Sequence, residues 1–335
     1  MIGVGIVGMG FMGWRHAESY AWASSRGAAC EVVAVFDHDR ARCDSPSTQG
    51  NISGSGSRAR PNWHVCASVD ELLADEGVHL VSVCTPTVTH VEIAMRALDA
   101  GKHVLVEKPV GLSADAVRPL AEASRRAETL CVPAHCMRFW PGWDWLHGAI
   151  AGGEHGRVLS ATFMRAGALP RWSPVYGDIS KSGGALGDFH IHDADFVQWA
   201  LGRPKAVSAT GGDTHVTTMY AFGDGGPVHT TAEAGWTRSA ASGFRMRYTV
   251  AFERATAEFE MGRDPVLTLS DESGSRAIEL PEGTGYDRQI EHIVRAIGDG
   301  RRDVRVTMDD ALAVAALLDA ERESLRRRAW VELAH

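Results

Sequence analysis

Three stretches of the chain gather side chains that can bind charge or move protons. The first, "SGGALGDFHIHDADF" (182–196), sets two histidines among acids. If it is helical, Asp188 and His192 share a face at i, i+4, and Asp195 follows one turn later. His190 then lies about 200° round from Asp188 and points elsewhere. His190 and His192 therefore cannot chelate one ion from a regular helix, unlike the i, i+4 pair of an HExxH site, and no metal is expected. An Asp–His pair can instead do acid–base work: the imidazole takes a proton from a carbinol while the carboxylate fixes its tautomer. Spacing alone leaves open a second reading, a helix that shows its polar face to solvent.

The second stretch, "GKHVLVEKPV" (101–110), ends a strand with Glu107 and Lys108. At the carboxyl edge of an α/β sheet such a lysine can hydrogen-bond a substrate hydroxyl and stabilise the developing alkoxide. Taken alone, it reads more simply as a surface lysine. The third is Gly8-x-Gly10-x-x-Gly13, with Phe11 and Met12 opening the helix that follows. In that place the glycines give a tight turn, close approach of backbone to pyrophosphate and close helix packing, with phosphates on the helix N-terminus. "EVVAVFD" then ends in Asp37, the acid expected on the ribose hydroxyls. A carboxylate there repels a 2′-phosphate, which favours NAD, although Arg40 keeps NADP possible.

These groups need elements to hold them. From Ile2 to about Ala134, the runs "IGVGIVG", "EVVAVFD", "NWHVCAS", "LVSVCTP", "KHVLVEKP" and "LCVPAH" alternate with helical stretches. That rhythm predicts βαβ crossovers and a doubly wound parallel α/β sheet. Ser68-x-x-Glu71 reads as a capping signature, and "THVEIAMRALDAG" as a helix that stops at Gly101. The Gly/Ser-rich stretch 44–62 interrupts the pattern and reads as a surface loop. After residue 135, two helical stretches, "GWDWLHGAIAGG" and "GALGDFHIHDADFVQWALG", precede eight β-type runs from "VLSATFMRAG" to "RAIELPE", and a last helix closes the chain. This predicts an NAD(P)-binding Rossmann domain over 1–134 and an α+β substrate and oligomerisation domain with a mostly antiparallel sheet over 135–335.

The 335 residues carry a net charge of −8, with 44% apolar and 23% charged residues. Nucleic acid is thus an unexpected partner. Six cysteines without a CxxC pair fit reduced thiols in a cytoplasmic protein, and no apolar run is long enough to span a membrane.

The glycine motif, "CTPTVTH" (84–90), "GKHVLVEKP" (101–109), "MRFWP" (137–141) and "SGGALGDFHIHDADFVQWALG" (182–202) together resemble the Gfo/Idh/MocA family. The resemblance covers nearly the whole chain. It implies that Lys108 is the catalytic lysine, with Asp188 and His192 as the acid and histidine of the second motif. It also implies that Thr85, Pro86 and His90 contact nucleotide and that Glu107 lies near the nicotinamide. Trp172, Tyr176, Asp178 and Lys181 are expected to face substrate, and Arg138 to line the pocket and contact cofactor. His190 replaces the family's common glycine and is a further substrate candidate. The family implies a sugar, sugar derivative or cyclitol partner, oxidised or reduced at a secondary alcohol. It also implies an open sheet in the second domain, through which a homodimer or homotetramer forms. Two other outcomes occur among relatives: NAD-dependent glycoside cleavage with transient redox chemistry, and non-catalytic regulators that bind dinucleotide and sugar.

Overall fold

Valine-rich runs buried on both faces build the first sheet, as a parallel sheet covered by crossover helices requires. The computed structural model describes residues 1–44, 62–169, 174–237 and 239–333. Most of the 44–62 stretch and Trp172 lie outside the described residues. The chain divides into two compact units, Met1–Phe139 with Gly283–Leu312, and Trp140–Glu282 with Ala313–His335.

In the first unit, strands β1 (Ile2–Val7), β2 (Cys30–Phe36), β3 (His64–Val65), β4 (Leu80–Val83), β5 (His103–Val106) and β6 (Cys131–Pro133) pair in parallel in the order β3-β2-β1-β4-β5-β6. The strand order reverses between β1 and β4, so the crevice for a ligand opens beyond the carboxyl ends of those strands. Helices α1 (Phe11–Ser25), α2 (Val69–Ala74), α3 (His90–Asp99) and α4 (Ala114–Arg126) connect the strands. Ser68 caps α2 by accepting the Glu71 N–H at 3.0 Å, but the Glu71 carboxylate turns to the Ala67 N–H and His64, so only half of the expected capping box forms.

The division expected near residue 134 falls after Phe139, and residues 283–312, expected in the second domain, belong to the first unit. The segment that returns is a helix. After α5 (Pro141–Gly152), α6 (Ile179–Ser182) and α7 (Ile191–Leu201) of the second unit, α8 (Gly285–Gly298) packs on α1. Asp287 accepts from Arg15 Nη2 at 2.6 Å and from Ser19 Oγ at 2.7 Å, while Ile290, Ile293 and Val294 join the core of Val4, Tyr20 and Leu105. This helix was not among the expected elements, and a 3.6-residue period does not by itself say which core receives an apolar face.

The second unit is built on a nine-stranded sheet. Its strands are β7 (Val158–Ala168), β8 (Ala206–Gly212), β9 (His215–Ala221), β10 (His229–Thr237), β11 (Arg245–Phe252), β12 (Ala255–Glu260), β13 (Leu267–Asp271), β14 (Gly274–Ala277) and β15 (Val331–Glu332). Their order is β14-β13-β12-β11-β7-β10-β9-β8-β15, antiparallel except for the β7–β10 pair. The last expected run, "RAIELPE", contributes only its first residues, as part of β14, and β15 was not expected. Along β11, buried Met246, Tyr248 and Val250 alternate with exposed Arg245, Arg247 and Thr249. On the buried face Trp143 of α5 meets Tyr248 and Phe259 edge-on, with ring centroids 5.0 and 4.7 Å away. Such contacts add to the area term. The chain ends in α9 (Met308–Arg327) and β15. No helix among the described residues is long and apolar enough to cross a membrane.

Candidate functional site

The glycine motif sits where β1 runs into α1, and each glycine has a separate physical reason. Gly8 holds φ +96°, and a Cβ there would come within 2.7 Å of the Cys84 carbonyl carbon and oxygen, on the turn after β4. At Gly13 a Cβ would meet the Gly8 carbonyl oxygen at 2.1 Å, so only glycine lets the helix approach the loop. At Gly10 nothing lies within 4 Å, which leaves the N-terminus of α1 at Phe11 and Met12 open to a phosphate. A loop closed around two glycines and open at the third fits a dinucleotide.

Asp37, at the end of β2, is buried and bonded to main chain: Oδ2 accepts the Met9 N–H at 2.7 Å and Oδ1 the Asp39 N–H at 2.9 Å. The carboxylate thereby ties the end of β2 to the glycine loop. Arg40 begins a short 3₁₀ turn, but the guanidinium nearest Asp37 is that of Arg42, at 4.0 Å.

Beyond β4, Thr85 is half-buried and Pro86 exposed, and Thr89 Oγ1 lies within hydrogen-bonding distance of both the Thr85 hydroxyl and the Pro86 carbonyl. His90 is buried with its ring nitrogens 2.6 Å from the Thr85 carbonyl and 2.9 Å from the Pro109 carbonyl. It joins the nucleotide turn to the lysine turn. Burial pushes its pKa down, while the hydrogen bonds to the two carbonyls act in the opposite sense.

At the end of β5, Glu107 is buried while Lys108 is half-buried. Glu107 Oε2 accepts the Lys108 N–H at 3.0 Å, and Oε1 lies 2.9 Å from His16 Nε2. Burial raises the Glu107 pKa, but the His16 hydrogen bond and the charges of His16 and Lys108 outweigh it and leave it lowered, so the group is a carboxylate. His16, three residues past Gly13, was not among the expected site residues. A histidine at a fixed offset from the glycine motif was the only local signal for it.

Arg138 departs from expectation. Its guanidinium is almost wholly buried, 3.2 Å from an Asp310 oxygen and 3.4 Å from the Arg305 carbonyl, so it is engaged within the first unit. The geometric reason is the return of residues 283–312, which carries Asp310 to it.

In the second unit the helix expected over the motif is not regular. Leu186–His190 form a π-helical turn that leads into α7, so the α-helical angles between Asp188, His190 and His192 do not hold. Asp188 accepts from Trp236 Nε1 at 3.1 Å, and Tyr176 stands edge-on to Trp236 with centroids 6.2 Å apart. Tyr176 and Asp188 are therefore brought together through Trp236 of β10. His192 is buried in the first turn of α7. Asp178 and Lys181, expected to face substrate, pair with each other at 3.1 Å, and Asp178 caps α6 through the Ser180 N–H.

His190 is corrected as a substrate candidate. It is fully buried, with Nε2 2.9 Å from Glu321 of α9 and 3.1 Å from the Tyr220 hydroxyl of β9, and Tyr220 also donates to Glu321 at 2.9 Å. Alongside it, Arg165 holds Asp193 bidentately at 3.0 and 3.3 Å. The residue that replaces a glycine is thus part of the core. Glu321, Tyr220 and Trp236 had no local sequence signal.

Comparison with known proteins agrees with this geometry. The family described as "Oxidoreductase family, NAD-binding Rossmann fold" matches residues 2–135, and the Gfo/Idh/MocA C-terminal domain matches residues 143–258. Inositol 2-dehydrogenase of Rhizobium meliloti is 27% identical over 98% of each chain. An uncharacterized oxidoreductase of Synechocystis is 26% identical, but the match covers 62% of this chain and 53% of that protein. The fold matches that of levoglucosan dehydrogenase solved with NADH and levoglucosan, at TM-score 0.85 and 21% identity with both chains fully covered.

Proposed function

This chain belongs to the Gfo/Idh/MocA family of NAD-binding oxidoreductases, and from that premise we propose that it acts reversibly on a secondary alcohol of a sugar, sugar derivative or cyclitol. The full-length similarity to an inositol 2-dehydrogenase supports the cyclitol end of that range. When bound, NAD supplies the hydride acceptor in one direction and NADH the donor in the other. Gly8, Gly10, Phe11, Met12 and Gly13 would hold its pyrophosphate and Asp37 its ribose hydroxyls, with Thr85, Pro86 and His90 lining the nucleotide turn.

Lys108 donates a hydrogen bond to the carbinol oxygen and stabilises negative charge as it develops there. His192 takes the carbinol proton as general base. Asp188, fixed by the Trp236 indole, orients His192 and steadies the imidazolium. The observation that carries this reading is the anchorage of Lys108, whose own N–H is bonded by a buried carboxylate at the carboxyl edge of the parallel sheet. The partly exposed face of the second sheet, with Thr162, Arg247 and Thr249, serves in this proposal as the surface through which copies associate as a dimer or tetramer.

A panel of sugars and cyclitols with NAD, read as NADH absorbance, tests the reaction. Lys108→Ala and His192→Ala are each expected to lower kcat about 100-fold or more. Near-normal turnover in both variants refutes the assignment.

A further inference from the structure

We propose that His16 is a positioning residue for Lys108, acting through Glu107; the function given to Lys108 rests on the oxidoreductase reading above. Four buried side chains form a continuous chain behind the lysine turn. The Tyr20 hydroxyl lies 2.8 Å from Ser82 Oγ, Ser82 Oγ lies 3.2 Å from His16 Nδ1, and His16 Nε2 lies 2.9 Å from Glu107 Oε1. The other oxygen of Glu107 takes the Lys108 N–H at 3.0 Å. Helix α1, which begins at the glycine motif, is thereby bonded to the backbone of the residue that meets substrate.

Donors and acceptors can be matched along the whole chain. A carboxylate has no donor, so His16 Nε2 must carry the hydrogen it gives to Glu107. Nδ1 then accepts from the Ser82 hydroxyl, and Ser82 Oγ accepts from Tyr20, whose pKa burial pushes far up and keeps protonated. Each polar atom of the chain thus faces a complementary partner, and Cys84 Sγ also lies 3.4 Å from His16 Nδ1. The arrangement explains why these groups are polar at all. Buried donors and acceptors that only filled space would be replaced by apolar side chains at little cost. Here the chain ends on a main-chain N–H, so it fixes the peptide from which the lysine side chain departs. Without the His16 donor, the Glu107 carboxylate keeps its burial cost, loses its strongest partner and turns away from Lys108.

Amide hydrogen exchange of the full-length protein, resolved to single residues, decides this without relying on turnover. In His16→Leu the Lys108 amide is expected to exchange about 100-fold faster while those of Val104, Leu105 and Val106 stay within about 3-fold. His16→Gln, whose side-chain amide can donate to Glu107, is expected to restore much of the protection. Where the leucine variant does not fold, His16→Asn, too short to reach Glu107, serves in its place. Alongside, kcat with the best alcohol falls about 10-fold while the dissociation constant for NADH changes less than about 3-fold. Unchanged exchange at Lys108, or an equal rise across residues 104–108, overturns the proposal. A protein that turns over no alcohol would sink the oxidoreductase reading instead, while the exchange data still judge the role of His16.

Discussion

The two units hold their functional side chains by different means. In the first, three buried side chains of the site end on main chain: Asp37 on Met9, Glu107 on Lys108, His90 on the Thr85 and Pro109 carbonyls. In the second, side chains hold side chains: Trp236 bonds Asp188, Glu321 stands against His190, and Arg165 grips Asp193. Each unit buries a histidine beside a carboxylate, yet His16–Glu107 terminates on a backbone N–H while His190–Glu321 is sealed at 0% exposure on both sides. The difference teaches where each pair spends its interaction energy. A pair that ends on main chain sets the geometry of a turn; a sealed pair sets the stability of the packing around it.

The most severe way to test that contrast is to remove one member of the sealed pair. Glu321→Ala leaves a buried histidine and the Tyr220 hydroxyl without their acceptor and is expected to cost about 3 kcal/mol or more, read by calorimetric unfolding. The double variant His190→Leu with Glu321→Leu should cost less than the two single changes added together, because neither charge is left alone. A loss below about 1 kcal/mol for the single variant would show that the pair is not holding the core.

The backbone-held unit is broken differently. Gly13→Ala sets a methyl against the Gly8 carbonyl and is expected to cost about 1–3 kcal/mol of stability as well as cofactor affinity. Gly10→Ala meets nothing within 4 Å in the protein, so it should fold normally while its NADH dissociation constant, read by fluorescence, rises about 10-fold. Equal effects in the two variants would contradict the division of labour among the glycines.

The same contrast explains what the sequence disclosed. Backbone-held sites are built from contiguous motifs, so the glycine turn and Asp37 after β2 could be proposed from order and spacing and Lys108 after β5 from the family resemblance, and the parallel sheet that orders them could be read from its apolar runs. Side-chain pairs join distant positions. His190 and Glu321 are separated by most of the second unit, and Asp188 and Trp236 by the β8 and β9 hairpin. Nothing near residue 190 says that a carboxylate from α9 waits for it, and its place as a substrate candidate came from the family resemblance alone. The Arg138–Asp310 pair was hidden for the same reason. The π turn at Leu186–His190 was equally hidden, since the stretch was read throughout with regular α-helical spacing.

The smallest effect is the most specific to the sealed pair. Burial alone would lower the His190 pKa, but Glu321 outweighs it, with Asp193 adding in the same sense and Arg165 opposing, and the result is a raised pKa. Tyr220, the remaining titratable neighbour, stays protonated because burial pushes its pKa far up. A histidine whose folded pKa exceeds its unfolded value contributes stability that is complete below about pH 6.5 and is lost as pH rises through the folded pKa. The midpoint of thermal unfolding should therefore decline as pH is raised from 6.5 through that folded pKa, and His190→Gln should remove this part of the decline. For His16–Glu107 the sign is opposite. The lowered carboxyl pKa of Glu107 gives stability that is present above the ordinary carboxyl range and disappears only as pH falls through its folded value. Raising the pH should thus loosen the second unit through His190 while leaving the lysine turn of the first intact, and the Lys108 amide should keep its protection under conditions where His190 has already lost its proton.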